Sequence, residues 1–305
     1  MLDRRKFLGF APVLAAGAMA GRLGRAACPQ AADGDESRRV EDNAPYQGGE
    51  SRRVPELRIV HLTDPQFGFG AKFKSHAENY AEDLKRFEKA LELAAKLKPD
   101  LIAVTGDMVN RAEDMEKDWP RLLGEIPGPV VFTPGNHDVG TAMTRKDRDR
   151  YLKVFGYDRK TVNVKGWRII AGNTQFLWNT ELAAEQREYE RWAAAELKRA
   201  AKECGGRVIV AGHYPPYTWK TTEKDNYENF PSKLRMKRLE AYRAAGVKYF
   251  LAGHTHGFAV RGWKDLAILN PETTSRDFDE RPLGFRLLEI FSPALDDFIY
   301  SFKSV

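Results

Sequence analysis

Three features of this chain predict an α/β fold built around two sheets. Short runs of β-branched and aliphatic residues (LRIVHLT, LIAVT, VVFT, RVIVA and VKYFLA) alternate with longer stretches of helical apolar spacing. Those runs lack polar alternation, so they read as strands buried on both faces. Beyond about residue 258 short strands follow one another with no helix between them, which implies a second, more antiparallel sheet packed on the first.

In order, the spacing predicts a strand at 57–63, a helix over about 76–97, and a strand at 101–105. A helix at about 114–124, a strand at 130–133 and a helix at about 145–155 follow. In the first helix Ala77, Tyr80, Ala81, Leu84, Phe87, Leu91, Ala94 and Leu97 fall on one face, and Pro99 closes it. These elements form one βαβαβ half. Residues 161–174 read as a strand pair turning at Lys165-Gly166, followed by a helix from about 183 to 203 and strands at 207–211 and 247–252. Short strands near 258–261, 266–269, 284–291 and 297–302 complete the pattern.

The N-terminus reads as an address. Asp3-Arg4-Arg5-Lys6-Phe7-Leu8 precedes a moderately apolar stretch that ends in Ala18-Met19-Ala20, a small-x-small cleavage pattern. Paired arginines followed by x-Phe-Leu look like a twin-arginine export signal, which implies a bacterial protein that meets the twin-arginine machinery and works in the periplasm or otherwise outside the cytoplasm. Cys28 follows Arg25-Ala26-Ala27, a lipoprotein-like pattern in which Arg25 stands where an aliphatic residue belongs, so lipid anchoring is not expected. Residues 28–54 carry ESRRV twice and show no apolar periodicity, so they read as a flexible linker. The chain thus divides into an export signal at 1–27, a linker at 28–54 and one folded domain at 55–305.

Bulk properties exclude several classes. The net charge of +6 falls to +4 without residues 1–20, since Arg4, Arg5 and Lys6 outweigh Asp3, and +4 is no footprint for nucleic acid. The two cysteines, Cys28 and Cys204, make neither a disulfide framework nor a cysteine-based zinc site. After the N-terminal segment no apolar stretch approaches the roughly 20 residues needed to cross a bilayer, so stable membrane insertion is not expected.

What remains is a set of oxygen and nitrogen ligands. HLTDPQ (61–66), TGDMVN (105–110), PGNHD (134–138), AGHYPP (211–216) and AGHTH (252–256) place their polar residues just past strand ends, where open α/β sheets carry their sites. One carboxylate, Asp107, can bridge two cations about 3.5–4 Å apart, and such a pair generates hydroxide near neutral pH and neutralises phosphoryl charge. A lone Asp or His at a strand end is more often a structural hydrogen-bonding residue, but four of the six histidines, His137, His213, His254 and His256, stand at or beside candidate ligand positions in these blocks.

The five blocks resemble the calcineurin-like metallophosphoesterase superfamily and stand in its order from Leu57 to about Phe302. The resemblance implies a four-layer α/β/β/α sandwich of two mixed sheets. It implies two divalent cations, Mn, Fe, Zn or similar. One would be held by Asp64, Gln66, Asp107 and His256, and the other by Asp107, Asn136, His213 and His254. His137 would protonate the leaving alkoxide or stabilise its charge, with Asp138 orienting its ring. Gln66 departs from the usual histidine, which implies a looser first site or one with more preference for Mn or Mg. D-P-Q-F-G, with RPLGFRLLEI (281–290), is most similar to the CPPED1-like phosphatases, a subgroup that includes protein serine/threonine phosphatases.

Other residues carry smaller expectations. His61 reads as buried behind the site, His76 as a solvent-facing helix-start residue, and Asn110 as the cap of a helix beginning near Arg111 in preference to a hydrogen bond near the phosphate. On the loop 214–231, Tyr214 or Trp219 either lines a substrate pocket or packs over the sheet, while Arg276 and Arg281 offer phosphate contacts or plain surface charge. The expected function is metal-dependent hydrolysis of phosphate monoesters, including phosphoproteins, by attack of a bridging hydroxide. Two alternatives share the residues: a phosphodiesterase on nucleotides or phospholipid headgroups, and a non-catalytic scaffold that has lost ligands.

Overall fold

The computed structural model describes residues 54–178, 180–292 and 297–305. The expected export signal and all of the expected linker except Val54 lie outside the described residues. Among the described residues eleven strands form two mixed sheets. The first half of the chain gives β1 (Leu57–Leu62), β2 (Leu101–Thr105) and β3 (Val130–Thr133), joined by α1 (His76–Leu97) and α2 (Met115–Glu125). A single-turn α3 (Asn136–Val139) and α4 (Arg145–Phe155) follow.

The second half runs β4 (Lys160–Val164), β5 (Trp167–Ala171), α5 (Ala183–Glu203), β6 (Val208–Ala211), α6 (Ser232–Ala244) and β7 (Val247–Leu251). The chain then closes with β8 (Ala259–Trp263), β9 (Leu266–Asn270), β10 (Gly284–Ser292) and β11 (Asp297–Ser304). The first sheet has the order β11-β10-β1-β2-β3 and the second β4-β5-β6-β7-β9-β8.

The strand topology corrects one expectation. The C-terminal strands do not make a sheet of their own: β8 and β9 extend the second sheet, whereas β10 crosses back to pair antiparallel with β1. The second sheet is not the more antiparallel one either, because β5, β6, β7 and β9 run parallel and only its edges, β4 and β8, are antiparallel.

Period-two alternation within each strand builds the layers. In β1 and β2, Leu57, Ile59, Leu101 and Ala103 pack against Trp167, Ile169, Ile209, Tyr249 and Leu269 of the other sheet. The alternate residues Val60, Leu62, Ile102 and Val104 pack outward among Phe87, Leu91 and Trp119 of the helices. Both faces are covered, which is why Arg58, His61 and Thr105 are the only polar residues in these two strands.

Helix α1 begins where Ser75 accepts from the Glu78 amide at 3.2 Å, and it ends at Lys98 in a left-handed conformation. Among the described residues no helix is long and apolar enough to cross a membrane. The carboxyl ends of β1, β2 and β3 in one sheet and of β6 and β7 in the other meet at a common edge, and every residue of the expected ligand set follows one of those five ends.

Candidate metal centre

Sharp turns at the strand ends bring the ligand set together. Of the nine non-glycine residues with positive φ among those described, five are Asp64, Gln66, Asp107, His254 and His256. Each such conformation costs on the order of 1–3 kcal/mol, and strain of this kind concentrates where side chains must be aimed. Glycines let the turns close: a Cβ on Gly135 would come within 2.1 Å of Asp107 Oδ1, and one on Gly253 within 2.1 Å of Thr63 Oγ1.

Two buried groups result, Asp107 with His213 and His254, and Asp64 with Asp107 and His256. In each, the ligand atoms lie within 4.8 Å of one another, and Asp107 belongs to both. Asn136 Oδ1 joins the first group 3.1 Å from His213 Nε2. Gln66 is held beside Asp107 by its main-chain amide, 2.8 Å from the Asp107 carbonyl, and its Oε1 is buried with no hydrogen-bond partner. A buried acceptor without a donor is costly, and a cation would satisfy it. The donor set of carboxylates, amide oxygens and imidazoles therefore fits divalent cations.

Each histidine of the set turns one ring nitrogen to a main-chain carbonyl. His213 Nδ1 lies 2.8 Å from Thr105 O, His254 Nε2 2.9 Å from Tyr227 O, and His256 Nδ1 2.6 Å from Arg276 O. A carbonyl can only accept, so those nitrogens carry the proton and His213 Nε2, His254 Nδ1 and His256 Nε2 are left as ligands. These three lie 3.4 Å from Asp107, 3.2 Å from His213 Nε2 and 3.4 Å from Asp64 respectively.

The electrostatics are those of a cluster short of positive charge. Burial disfavours the charged His213 ring, yet Asp107 and Asp64 outweigh it and lift its pKa to about 9. Burial, with Asp107 nearby, raises Asp64, while burial and the neighbouring His213 lower His254 to about 3. Asp107 stays below the usual carboxylate range, because His213 and His137 overcome its desolvation.

The structure corrects two role assignments. Asp138 does not orient the His137 ring: its Oδ1 accepts the Met108 amide at 2.7 Å and its Oδ2 the Gly135 amide at 2.8 Å, so it shapes the turns that carry Asp107 and Asn136. The ring is fixed by Asn110, whose carbonyl lies 3.0 Å from His137 Nδ1. Asn110 is no helix cap either, because its amide nitrogen reaches Gly68 O at 3.3 Å and the short 3₁₀ turn at Ala112–Asp114 has no side-chain cap.

His61 is buried as expected and meets Thr105 Oγ1 at 2.9 Å. His76 does start α1, but it pairs with Asp114 at 2.7 Å instead of facing solvent freely. Tyr214 is buried and lines a cleft of about 170 Å³ with Thr141, Trp178, Asp225, Asn226 and Tyr227. Trp219 lies out on the surface. Arg281 is engaged by Asp279 at 3.3 Å, whereas the Arg276 guanidinium sits 5.5 Å from the ring centres of Phe69 and Phe278, which border His256.

Sequence reasoning passed over Tyr227, whose hydroxyl accepts from Asn136 Nδ2 at 2.5 Å. It also passed over Thr63, Thr273 and Ser275, which hold Asp64. Only the aromatic density of the 214–231 loop hinted at the first of these.

The calcineurin-like phosphoesterase family matches residues 57–258. The serine/threonine-protein phosphatase CPPED1 of Bos taurus is 24% identical over 259 residues, covering 80% of this chain and 83% of the bovine protein. Among solved structures, a dimetal phosphatase from Danio rerio superposes with a TM-score of 0.56 at 13% identity, over 82% of this chain and 96% of that one. GAP50, described as the anchor in the inner membrane complex of Plasmodium, gives 0.56 at 16% identity, over 81% of this chain and 84% of its own. At such identities these structures speak to the fold alone.

Proposed function

The chain belongs to the calcineurin-like phosphoesterase family, and from that premise we propose that it is a two-cation phosphatase acting on phosphate monoesters, phosphoproteins among them. The observation that carries this reading is the shared Asp107, which belongs to both buried ligand groups. Asp64, Gln66, Asp107 and His256 would hold one cation, and Asp107, Asn136, His213 and His254 the other. Bound there, the pair supplies an acidified water as nucleophile and neutralises charge on the phosphoryl group.

The chain's own residues do the rest. The His137 amide donates to Asp107 Oδ1 at 2.9 Å, which ties the residue to the shared carboxylate. With Nδ1 committed to the Asn110 carbonyl, Nε2 is the ring atom that can carry a proton to the leaving alkoxide. Phe69, 6.1 Å from His137 and 5.1 Å from His256 between ring centres, covers one side of that approach and limits water.

The paired arginines Arg4 and Arg5 support export through the twin-arginine route, with action outside the cytoplasm. Replacing both with lysine should retain the protein in the cytoplasm, as fractionation would reveal.

Hydrolysis of p-nitrophenyl phosphate and of its bis-ester, by chelator-stripped protein resupplied with single metals, tests the catalytic reading. Preference for the monoester supports it. Preference for the diester favours a phosphodiesterase. No activity with any metal, together with failure to retain stoichiometric metal, favours a scaffold.

A further inference from the structure

One residue outside the ligand set touches two of its members at once. Tyr227 uses its main-chain carbonyl to hold His254 Nε2 at 2.9 Å and its hydroxyl to accept from Asn136 Nδ2 at 2.5 Å. The first contact puts the His254 proton on Nε2 and leaves Nδ1 facing His213 Nε2, 3.2 Å away. The second anchors the Asn136 side chain: its Nδ2 lies on the Tyr227 hydroxyl and its Oδ1 lies 3.1 Å from His213 Nε2. Rested on the two-cation reading above, we infer that Tyr227 is a positioning residue for the cation held by Asp107, Asn136, His213 and His254.

The segment that carries Tyr227 is built to hold it. The Glu223 carboxylate accepts from the amides of Thr218, Trp219 and Lys220 at 2.7, 2.8 and 3.2 Å, and it also bonds Asn229. The guanidinium of Arg235, fully buried at the start of α6, reaches Thr221 O, Glu223 O and Phe230 O at 2.9, 2.7 and 3.0 Å. A loop fixed at this density has lost most of its freedom before any cation binds. Tyr227 is nevertheless 53% exposed and packs on His254 with ring centres 4.7 Å apart. An exposed aromatic whose hydroxyl reaches a buried amide is explained by the side chain it anchors, since burial stabilises it little.

The carbonyls that hold the other two histidines belong to Thr105 at the end of β2 and to Arg276, so Tyr227 acts on one cation position only. Its effect should therefore be selective. Manganese titrated into chelator-stripped Tyr227→Phe, which loses the hydroxyl and keeps the carbonyl, should bind one cation as in the parent and the other about 10–100-fold more weakly. The electron paramagnetic resonance signal of the coupled manganese pair should give way to that of a single ion at limiting metal. Unfolding of the chelated protein should not change.

Trp219→Ala, on the same segment and away from the cluster, should leave both affinities alone. Two cations bound by Tyr227→Phe at parental affinities would overturn the inference while leaving the two-cation reading intact. A parent protein that binds fewer than two would overturn both.

Discussion

The main-chain amide of His254 donates to both carboxylate oxygens of Asp64, at 3.2 and 3.0 Å, across 190 residues of sequence. Thr63 Oγ1 adds a second donor at 2.5 Å. The first and last of the five motif segments are thus locked together, and the carboxylate is aimed before a cation arrives. The contact depends on Gly253, where an added Cβ would meet Thr63 Oγ1 at 2.1 Å, Thr105 O at 2.5 Å and Asp64 Oδ2 at 2.8 Å. Gly253→Ala should cost about 1–3 kcal/mol of stability and lower metal content. Gly124→Ala, in α2 with open space around it, should gain about 0.4–1 kcal/mol. Urea denaturation of both variants with chelator, and metal analysis without it, would check the contrast.

Gln66→Leu should act with opposite signs in two conditions. Without metal it removes a buried acceptor that has no donor, a gain on the order of 1 kcal/mol. With metal it removes a ligand, so the affinity of the position shared with Asp64 and His256 should fall. Denaturation curves with and without manganese would reveal the crossing, and equal destabilisation in both would exclude Gln66 as a ligand.

Asp107→Ala should lose both cations and all turnover, because both ligand groups depend on it. His137→Ala should keep its metal and lose about 10²–10⁴-fold in turnover. Metal analysis beside kcat measurement separates the two, and near-parental turnover in His137→Ala would refute the acid role.

Asp138→Asn should weaken the fold more than the chemistry. Both oxygens accept main-chain amides, so an amide side chain sets its own NH2 group against a donor at Met108 or at Gly135. A loss of about 1–3 kcal/mol is expected. The pH dependence of kcat should keep its shape, since the Asn110 carbonyl, not Asp138, fixes the His137 ring.

His61 makes stability fall in acid. Burial lowers its pKa from 6.5 to about 3, so the unfolded chain takes up a proton that the folded chain refuses. The contribution is complete above pH 6.5 and is lost as pH falls from there toward 3, at up to about 1.4 kcal/mol per pH unit. In chelated protein, His61→Leu should show a shallower loss of stability across that window. An unchanged slope would place the sensitivity elsewhere.

The sequence by itself determined which side chains could hold a cation and their place after strand ends, because side-chain chemistry and strand patterning are local properties. His213 or Asp107 can be recognised as a potential ligand wherever the chain puts it, and buried strands such as LIAVT announce themselves by composition. Tertiary structure alone decided that β10 returns to β1 while β9 joins β7, since the residues of a strand announce a strand but do not name its partner.

It also decided how the ligands are held. The carbonyls of Thr105, Tyr227 and Arg276 set the histidine rings, the Asn110 carbonyl sets His137, and the amides of Met108 and Gly135 claim Asp138. These are main-chain atoms, a carbonyl that every residue offers and an N–H that all but proline offer, so no residue type marks them. Only the path of the chain through space brings each one to its side chain.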